Sequence, residues 1–192
     1  MDVARLDPAA LAARATLVDA GGIALGELLS EKKAPHARTP SSPYISVLHV
    51  DDVGAVDWHA SSTHAPVTAG LLVDEGDLIV SLLNPSRLRA AVIPTGVGPV
   101  QVSGEFGVFT TDRDPYAVLG LLYAAPVRAQ LRPLGKGTSS SRRRIDAADV
   151  LGLIVPRLDP AALAEIGRRV REAHTLITRA RGALTDAFST LI

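Results

Sequence analysis

The chain has 192 residues, no cysteine, and 20 basic side chains that balance 20 acidic ones. This length makes one domain or a domain with an appendage, and 47% hydrophobic with 21% charged residues is typical of a folded globular protein. The composition excludes disulfides, a thiolate nucleophile and cysteine-ligated zinc, and zero net charge excludes a polybasic protein that holds nucleic acid by bulk charge. We therefore expect a reducing, cytoplasmic setting.

No secretory signal or membrane span is expected from the sequence. Charged residues interrupt the first residues, where a signal peptide needs an apolar run. Two long uncharged stretches, residues 90–104 and 115–127, have 15 and 13 residues, short of the roughly 18 that a span requires.

Charge is distributed unevenly along the chain. Residues 1–80 contain 5 basic and 11 acidic side chains, whereas residues 81–192 contain 15 and 9. The acidic first half followed by a basic second half indicates a face for an anionic partner. Seventeen of the basic residues are arginine, whose planar guanidinium suits phosphate and guanine.

Three Asp-Pro pairs predict helix starts, with Asp as N-cap and Pro at the first helical position. Asp7 and Asp159 lie at the third position of two identical octapeptides, residues 5–12 and 157–164, at an offset of 152. Asp114 opens a third helix to about Gln130, which Pro126 is expected to kink or end.

Short β-branched or aromatic runs between turn residues predict strands. They are residues 44–50, 78–83, 90–93, 106–111 and 150–155. These elements predict an α+β fold, in which a mixed-strand domain at residues 1–155 precedes a helical segment at residues 156–192.

The C-terminal segment has an apolar heptad-like seam. The positions alternate spacings of three and four residues: Leu163, Ile166, Val170, Ala173, Ile177, Ala180, Leu184, Ala187 and Leu191. A helix over residues 159–191 would be about 48 Å long. This pattern favours a coiled-coil partner, so we expect a homodimer or pairing with a second domain; the alternative is a helix folded back on its own domain.

Basic side chains in three loops are candidate DNA contacts. The strongest loop combines glycines, hydroxyls and cations over residues 134–145, which suits phosphate oxygens and guanine edges. Two weaker loops lie at residues 32–38 and 87–89. The candidate residues are Lys136, Thr138, Ser139, Ser140, Ser141, Arg142, Arg143, Arg144, Lys32, Lys33, Arg38, Arg87 and Arg89.

Motifs for catalysis are missing from the sequence. The spacing of a phosphate-binding P-loop is absent, and no Gly-x-Ser-x-Gly elbow occurs. The five histidines show no metal-ligand spacing. We therefore predict no catalytic residue, no metal and no cofactor in this chain.

The order of these features resembles one half of the DNA-specificity subunit of type I restriction-modification systems. The resemblance covers nearly the whole chain and depends on Leu25-Gly26-Glu27-Leu28, residues 44–47 with 53–54, 73–81, 137–145 and 151–156, and the long helix. The Glu-Gly-Asp-Leu-Ile-Val-Ser segment at residues 75–81 is its most telling piece. Two departures are the replacement of the usual Pro and Glu-Gln after Pro156 and the presence of a single recognition domain with a single spacer.

The resemblance implies a non-catalytic role in phage defence. Residues 1–155 would be a target-recognition domain that reads double-stranded DNA, and residues 156–192 a spacer that pairs with a second spacer. A DNA adenine methyltransferase subunit would bring S-adenosylmethionine, and a restriction or translocase subunit is a further implied partner. The chain would be a half-subunit that dimerises, or a recognition region of a larger methyltransferase polypeptide.

A competing hypothesis treats the chain as a protein-interaction module. The long helix would then be its whole function, and the basic loops would be incidental.

Overall fold

The computed structural model describes residues 7–37, 42–66, 68–137 and 143–189, without the side chain of Ala37. Short strands lie between helices over most of this length. The elements are α1 (Pro8–Asp19), β1 (Ile23–Ala24), β2 (Ser30–Glu31), β3 (His36–Ala37), β4 (Tyr44–Ile45), α2 (Trp58–Thr63), β5 (Gly70–Val73), β6 (Leu78–Ser81), β7 (Ala90–Val92), β8 (Val100–Val102), β9 (Phe106–Thr110), α3 (Pro115–Tyr123), α4 (Ala125–Leu131), α5 (Ala147–Leu151), β10 (Ile154–Val155) and α6 (Pro160–Ser189). Single 3₁₀ turns cover Leu25–Glu27, Val47–His49 and Arg132–Leu134. The predicted α+β class with a long C-terminal helix is confirmed.

The strands form two four-stranded sheets and one two-stranded ribbon. The first sheet has the order β2-β9-β6-β7 with antiparallel neighbours. The second has the order β3-β5-β8-β4, in which only the β4–β8 pair is parallel. β1 and β10 pair antiparallel and bring the segment after α1 beside the segment that precedes α6.

The first sheet separates two apolar clusters because side chains alternate along its strands. Leu78 and Val80 of β6 pack with the helices, among residues of α3 and α4. Ile79, between them, packs with Ile45 and Val102 of the second sheet. Burial on both faces explains the uninterrupted apolar run of β6.

All three predicted Asp-Pro helix starts are confirmed. Asp7 accepts hydrogen bonds from the amides of Ala9 and Ala10, and Asp114 accepts one from the amide of Tyr116. Asp159 likewise accepts from Ala162 at 2.8 Å. The third predicted helix is broken at Ala124, so that Pro126 lies in the first turn of α4. This position suits proline, since an amide there has no intrahelical acceptor.

Three of the predicted strands end only one or two residues early, but two are much shorter than expected, for local reasons. After β4 the amide of Ser46 donates to Nδ1 of His49, which closes a 3₁₀ turn where a strand to residue 50 was predicted. The predicted strand at 150–155 is wrong in its first half. Asp146 and Asp149 cap each other's amides there and begin α5 instead.

α6 lies across α3 over its first turns, and glycines permit the close approach. A Cβ on Gly120 would lie 2.6 Å from Ile166, and one on Gly167 would lie 2.3 Å from the Asp114 carboxylate. The proximal half of α6 therefore packs on its own domain. The proposed boundary between residues 155 and 156 stays a prediction.

None of the helices within the described ranges is both long and apolar enough to cross a membrane.

Candidate nucleic-acid interface

The strongest predicted loop begins and ends on a two-stranded stem. The amide of Lys136 donates to the carbonyl of Arg144 at 2.8 Å, and the amide of Arg144 donates back at 2.9 Å. Arg144 also forms an antiparallel β-bridge with Leu83, which lies two residues beyond the end of β6. The predicted contacts Thr138, Ser139, Ser140, Ser141 and Arg142 lie outside the described residues.

Carboxylates already bind the side chain of Lys136. Its Nζ donates to Asp146 at 3.1 Å and to Asp149 at 3.2 Å. These hydrogen bonds raise the pKa of Lys136 above its ordinary value. Hydrogen bonds from the Asp149 amide and from Lys136 lower the pKa of Asp146. Lys136 and Asp146 are therefore both charged near neutral pH.

Arg144 forms a two-point contact with Glu105. Its Nε donates to Oε2 at 3.1 Å and its Nη2 to Oε1 at 2.7 Å. These hydrogen bonds raise the pKa of Arg144. Such bidentate pairs have the same fork geometry that binds phosphate, so a nucleic-acid contact by Arg144 competes with Glu105.

The turn at residues 84–87 docks on this stem. The amide of Asn84 donates to the carbonyl of Arg143 at 2.7 Å. Asn84 has a φ of 51°, a left-handed conformation that asparagine tolerates, and its side chain accepts a hydrogen bond from Ser86. Arg87 and the arginines of the stem were predicted to lie in separate loops. The structure brings them into one region.

Arg87 and Arg89 have different environments. Arg87 has a side chain that is 65% exposed and lies 3.6 Å from Asp52. Arg89 is only 15% exposed, pairs with Asp52 at 3.1 Å and donates to the carbonyl of Val50. Arg87 is available to a ligand, whereas Arg89 mainly holds the neighbouring loop.

The Lys32–Lys33 loop lies at the other end of β6. Nζ of Lys32 contacts Asp77, which precedes β6, at 2.6 Å and Asp74 at 2.7 Å. Burial lowers the pKa of Lys32, but the hydrogen bonds to both carboxylates outweigh it and the net shift is upward. Lys33 is exposed, and Arg38 lies outside the described residues. The fold does not bring this loop to the hairpin.

We name the hairpin surface as the region formed by Arg87, Glu105, Lys136, Arg143 and Arg144. Arg143 is half-buried and makes no ion pair with another described residue. Arg87, Lys136 and Arg144 each have an exchangeable carboxylate partner. Such a group of cations, together with Arg143, suits contact with phosphates and base edges.

The carboxylate partners of these cations were not predicted from the sequence. Glu105 precedes Arg144 by 39 residues, and Asp52 precedes Arg87 by 35. No short-range spacing signals such pairs. These pairs are formed by the fold, which places the turn between β8 and β9 beside the stem.

The predicted helical seam divides into two parts. Leu163 and Val170 pack against the main core, and Ile166 contacts Gly120. Ile177 is half-buried, whereas the remaining described positions are exposed: Ala173, Ala180, Leu184 and Ala187. Leu191 lies outside the described residues. The proximal part thus follows the alternative in which the helix folds back on its domain, and pairing by the distal part stays a prediction.

Acidic and histidine side chains of the described ranges include no cluster of three or more that could hold a metal ion.

The fold defined by these elements is similar to part of a solved specificity subunit of a type I restriction-modification system. It is similar to the structure of the HsdS subunit from Thermoanaerobacter tengcongensis, with a TM-score of 0.53 and 21% sequence identity over 88% of this chain and 44% of that one. The resemblance predicted from the sequence is confirmed at the level of the fold.

Two further structures show lower scores. One, described as the structural basis of complex assembly and conformational transition of the type I R-M system, has a TM-score of 0.44, with 13% identity over 88% of this chain and 43% of that one. The type I S subunit from M. genitalium has a TM-score of 0.47, with 14% identity over 77% and 37% of the two chains. The chain thus spans less than half of each of these proteins.

No protein-family model matches the chain, and no curated protein matches its sequence at a significant level.

Proposed function

We propose that the chain is a non-catalytic DNA-recognition module of a type I-like restriction-modification or DNA adenine methyltransferase complex. The observation that carries the proposal is the fold shared with an HsdS subunit together with the cations grouped on the bridged stem at Lys136 and Arg144. Residues 1–155 would contact double-stranded DNA, and α6 would connect them to partner subunits.

The hairpin surface supports a specific mode of binding. Arg143 and Arg144, with Arg142 next to them in the sequence, would supply planar guanidinium groups for guanine edges or phosphates. Lys136 and Arg87 supply charge at the base of the same hairpin. A phosphate at this surface replaces Glu105 or Asp52 as the partner of a cation, so binding exchanges one ion pair for another.

The partner would supply the chemistry that this chain lacks. A DNA adenine methyltransferase subunit would bring S-adenosylmethionine and flip the target adenine out of the duplex. A restriction or translocase subunit would join the same assembly. The role of this chain would be to recognise the DNA sequence and to orient those subunits on the DNA.

A test replaces Arg142, Arg143 and Arg144 together with alanine. DNA binding is measured with the methyltransferase partner present, at two salt concentrations, because phosphate contacts change the salt slope. The matched control replaces the exposed Arg113, Arg157 and Arg179, which removes the same charge elsewhere. A triple hairpin variant that binds like this control contradicts the assigned surface.

A second candidate function, protein interaction through α6, is favoured by one observation. Leu176, Leu184 and Phe188 on the distal half are 65%, 56% and 63% exposed. Large apolar side chains that remain exposed in a row indicate a contact surface. The pairing helix of a homodimer would supply such a contact, and a dimer would restore two recognition domains.

Molecular mass in solution and a DNA shift assay separate the two functions. A Leu184→Gln variant is expected to weaken self-association without weakening the DNA contact of each domain. A dimer that ignores DNA in the presence of every partner would favour the interaction module alone.

A further inference from the structure

Residues 50–56 form a turn that is closed by several hydrogen bonds and contacts two separate parts of the molecule. Val50 and Val56 bridge across its base, and the Asp51 amide donates to the carbonyl of Ala55. Oδ1 of Asp51 accepts from the amides of Val53 and Ala55, both at 2.9 Å. Gly54 has a φ of 83°, and a Cβ there would lie 2.7 Å from the carbonyl oxygen of Ala90. The turn therefore has one well-defined shape.

One side of this turn holds the distal half of α6. Oδ2 of Asp51 accepts from Nη2 of Arg181 at 2.5 Å. Nε2 of His174 lies 2.9 Å from the carbonyl oxygen of Val53, which accepts its hydrogen bond. Burial would raise the pKa of Asp51, but the two amides and the Arg181 guanidinium lower it overall. The carboxylate is therefore ionised at neutral pH.

The distal half of α6 depends on these contacts more than the proximal half does. Leu163 and Val170 anchor the proximal half in the main apolar core. Farther along, Leu176 and Leu184 are exposed instead. Because apolar burial is the main source of stability, the distal half is packed less strongly against the domain. Its direction therefore depends on polar contacts.

The other side of the turn holds the base of the hairpin surface. Asp52 lies 3.1 Å from Arg89 and 3.6 Å from Arg87. Arg89 also donates to the carbonyl of Val50. Neighbouring residues of one turn thus bind α6 and the segment that leads to Arg87.

We propose that residues 50–56 are a positioning element that fixes the direction of the distal half of α6 relative to the hairpin surface, with Asp51 and Arg181 as the main positioning residues. Residues beyond His174 extend for roughly 23 Å at 1.5 Å per residue. A small tilt at the turn therefore displaces the helix end by several ångströms. If α6 connects recognition domains, this turn sets their separation.

Distances between spin labels test the proposal without DNA. The chain has no cysteine, so introduced cysteines are the only labelling sites. One label pair joins Asp112→Cys to Ala183→Cys on the distal half of α6. A reference pair joins Asp112→Cys to Ala164→Cys on the proximal half.

Asp51→Asn is the first variant, because asparagine keeps the oxygen that accepts from Val53 and Ala55 but turns an amide toward Arg181. Arg181→Met breaks the same contact from the helix and leaves the turn intact. Arg179→Met removes a neighbouring exposed charge and is the matched control.

Asp51→Asn and Arg181→Met are both expected to shift the mean distal distance, or to widen its distribution, by about 2–3 Å, because residue 183 lies about 13 Å along the helix from His174. Both are expected to leave the reference distance unchanged. An unchanged distal distance in Arg181→Met overturns the proposal. Equal broadening of both pairs also overturns it, because the effect would then not be specific to the distal half. Failure of DNA binding would leave these distances unaffected, so the two proposals fail separately.

Discussion

Glu105 accepts two hydrogen bonds from Arg144, at 3.1 and 2.7 Å, across a gap of 39 residues. The strongest candidate for a DNA-contacting guanidinium is therefore paired in the free protein. The hairpin surface carries its own competing anions, which limits attraction to arbitrary phosphates. This agrees with the net charge of zero and with the proposed recognition of a particular duplex.

Glu105→Gln is expected to increase DNA affinity. The substitution removes the carboxylate that competes with phosphate for Arg144. Exposed ion pairs are worth about 0–1 kcal/mol, so the gain in affinity is at most about fivefold. Duplex binding at low salt measures it, with Glu172→Gln on α6 as a control for the change in net charge. Equal gains in the two variants would show that general charge, and not Arg144, is responsible.

Arg87→Ala and Arg89→Ala are expected to differ in kind. Arg89 is mostly buried and donates to the carbonyl of Val50, so its loss lowers the free energy of unfolding by about 1.5–3 kcal/mol. Arg87 is exposed, and its loss changes stability by no more than about 0.5 kcal/mol. Chemical denaturation measures both, and DNA binding is expected to weaken in Arg87→Ala at unchanged stability. A reversed order would contradict the separation of these two roles.

Local chemistry is what the sequence predicted well. Asp7, Asp114 and Asp159 each cap a helix, since an N-cap acts on amides two or three residues away. The break near Pro126 was predictable for the same reason, because proline affects only the helical turn in which it lies. The long α6 follows from its periodic pattern, which is also local.

Long-range pairing is what the sequence could not provide. The partners of Arg144 and Arg87 were not predicted, because each pair depends on how distant segments are placed by the fold. The partners of Lys136 are nearer in sequence, at residues 146 and 149, but depend on where α5 begins. The seam of α6 was predicted as one surface, yet Gly167 and Gly120 let its first part pack on α3. A heptad pattern specifies an apolar face but not what covers it.

Gly167→Ala and Gly182→Ala are expected to act in opposite directions although both lie in α6. A methyl group at Gly167 would lie 2.3 Å from Asp114 Oδ2, an overlap whose relief costs about 1–3 kcal/mol. Gly182 has nothing within 4 Å of the added Cβ, so alanine stabilises the helix by up to about 1 kcal/mol. Thermal unfolding of both variants tests this. A stabilised Gly167→Ala would contradict the close contact between α6 and the N-terminus of α3.

Tyr123→Phe is expected to destabilise the protein at neutral pH and to reduce its sensitivity to alkali. The Tyr123 hydroxyl accepts from the amide of Ala90 and donates to its carbonyl, both at 3.1 Å, which caps the outer edge of β7. Ala90 is fully buried, so phenylalanine leaves two buried polar groups unpaired at a cost of about 1–3 kcal/mol.

The alkaline behaviour follows from the ionisation of the same hydroxyl. Burial raises the pKa of Tyr123 from 10.0 to about 12. The unfolded chain therefore loses this proton first, and the stability present below pH 10 declines as the pH rises toward 12, by roughly 2–3 kcal/mol for a shift of this size. Unfolding of the wild type and of Tyr123→Phe across this interval isolates the contribution, because every other titrating group is common to both. Parallel curves would mean that Tyr123 ionises as easily in the folded protein as in the unfolded chain, and the capped edge of β7 would then be open to solvent.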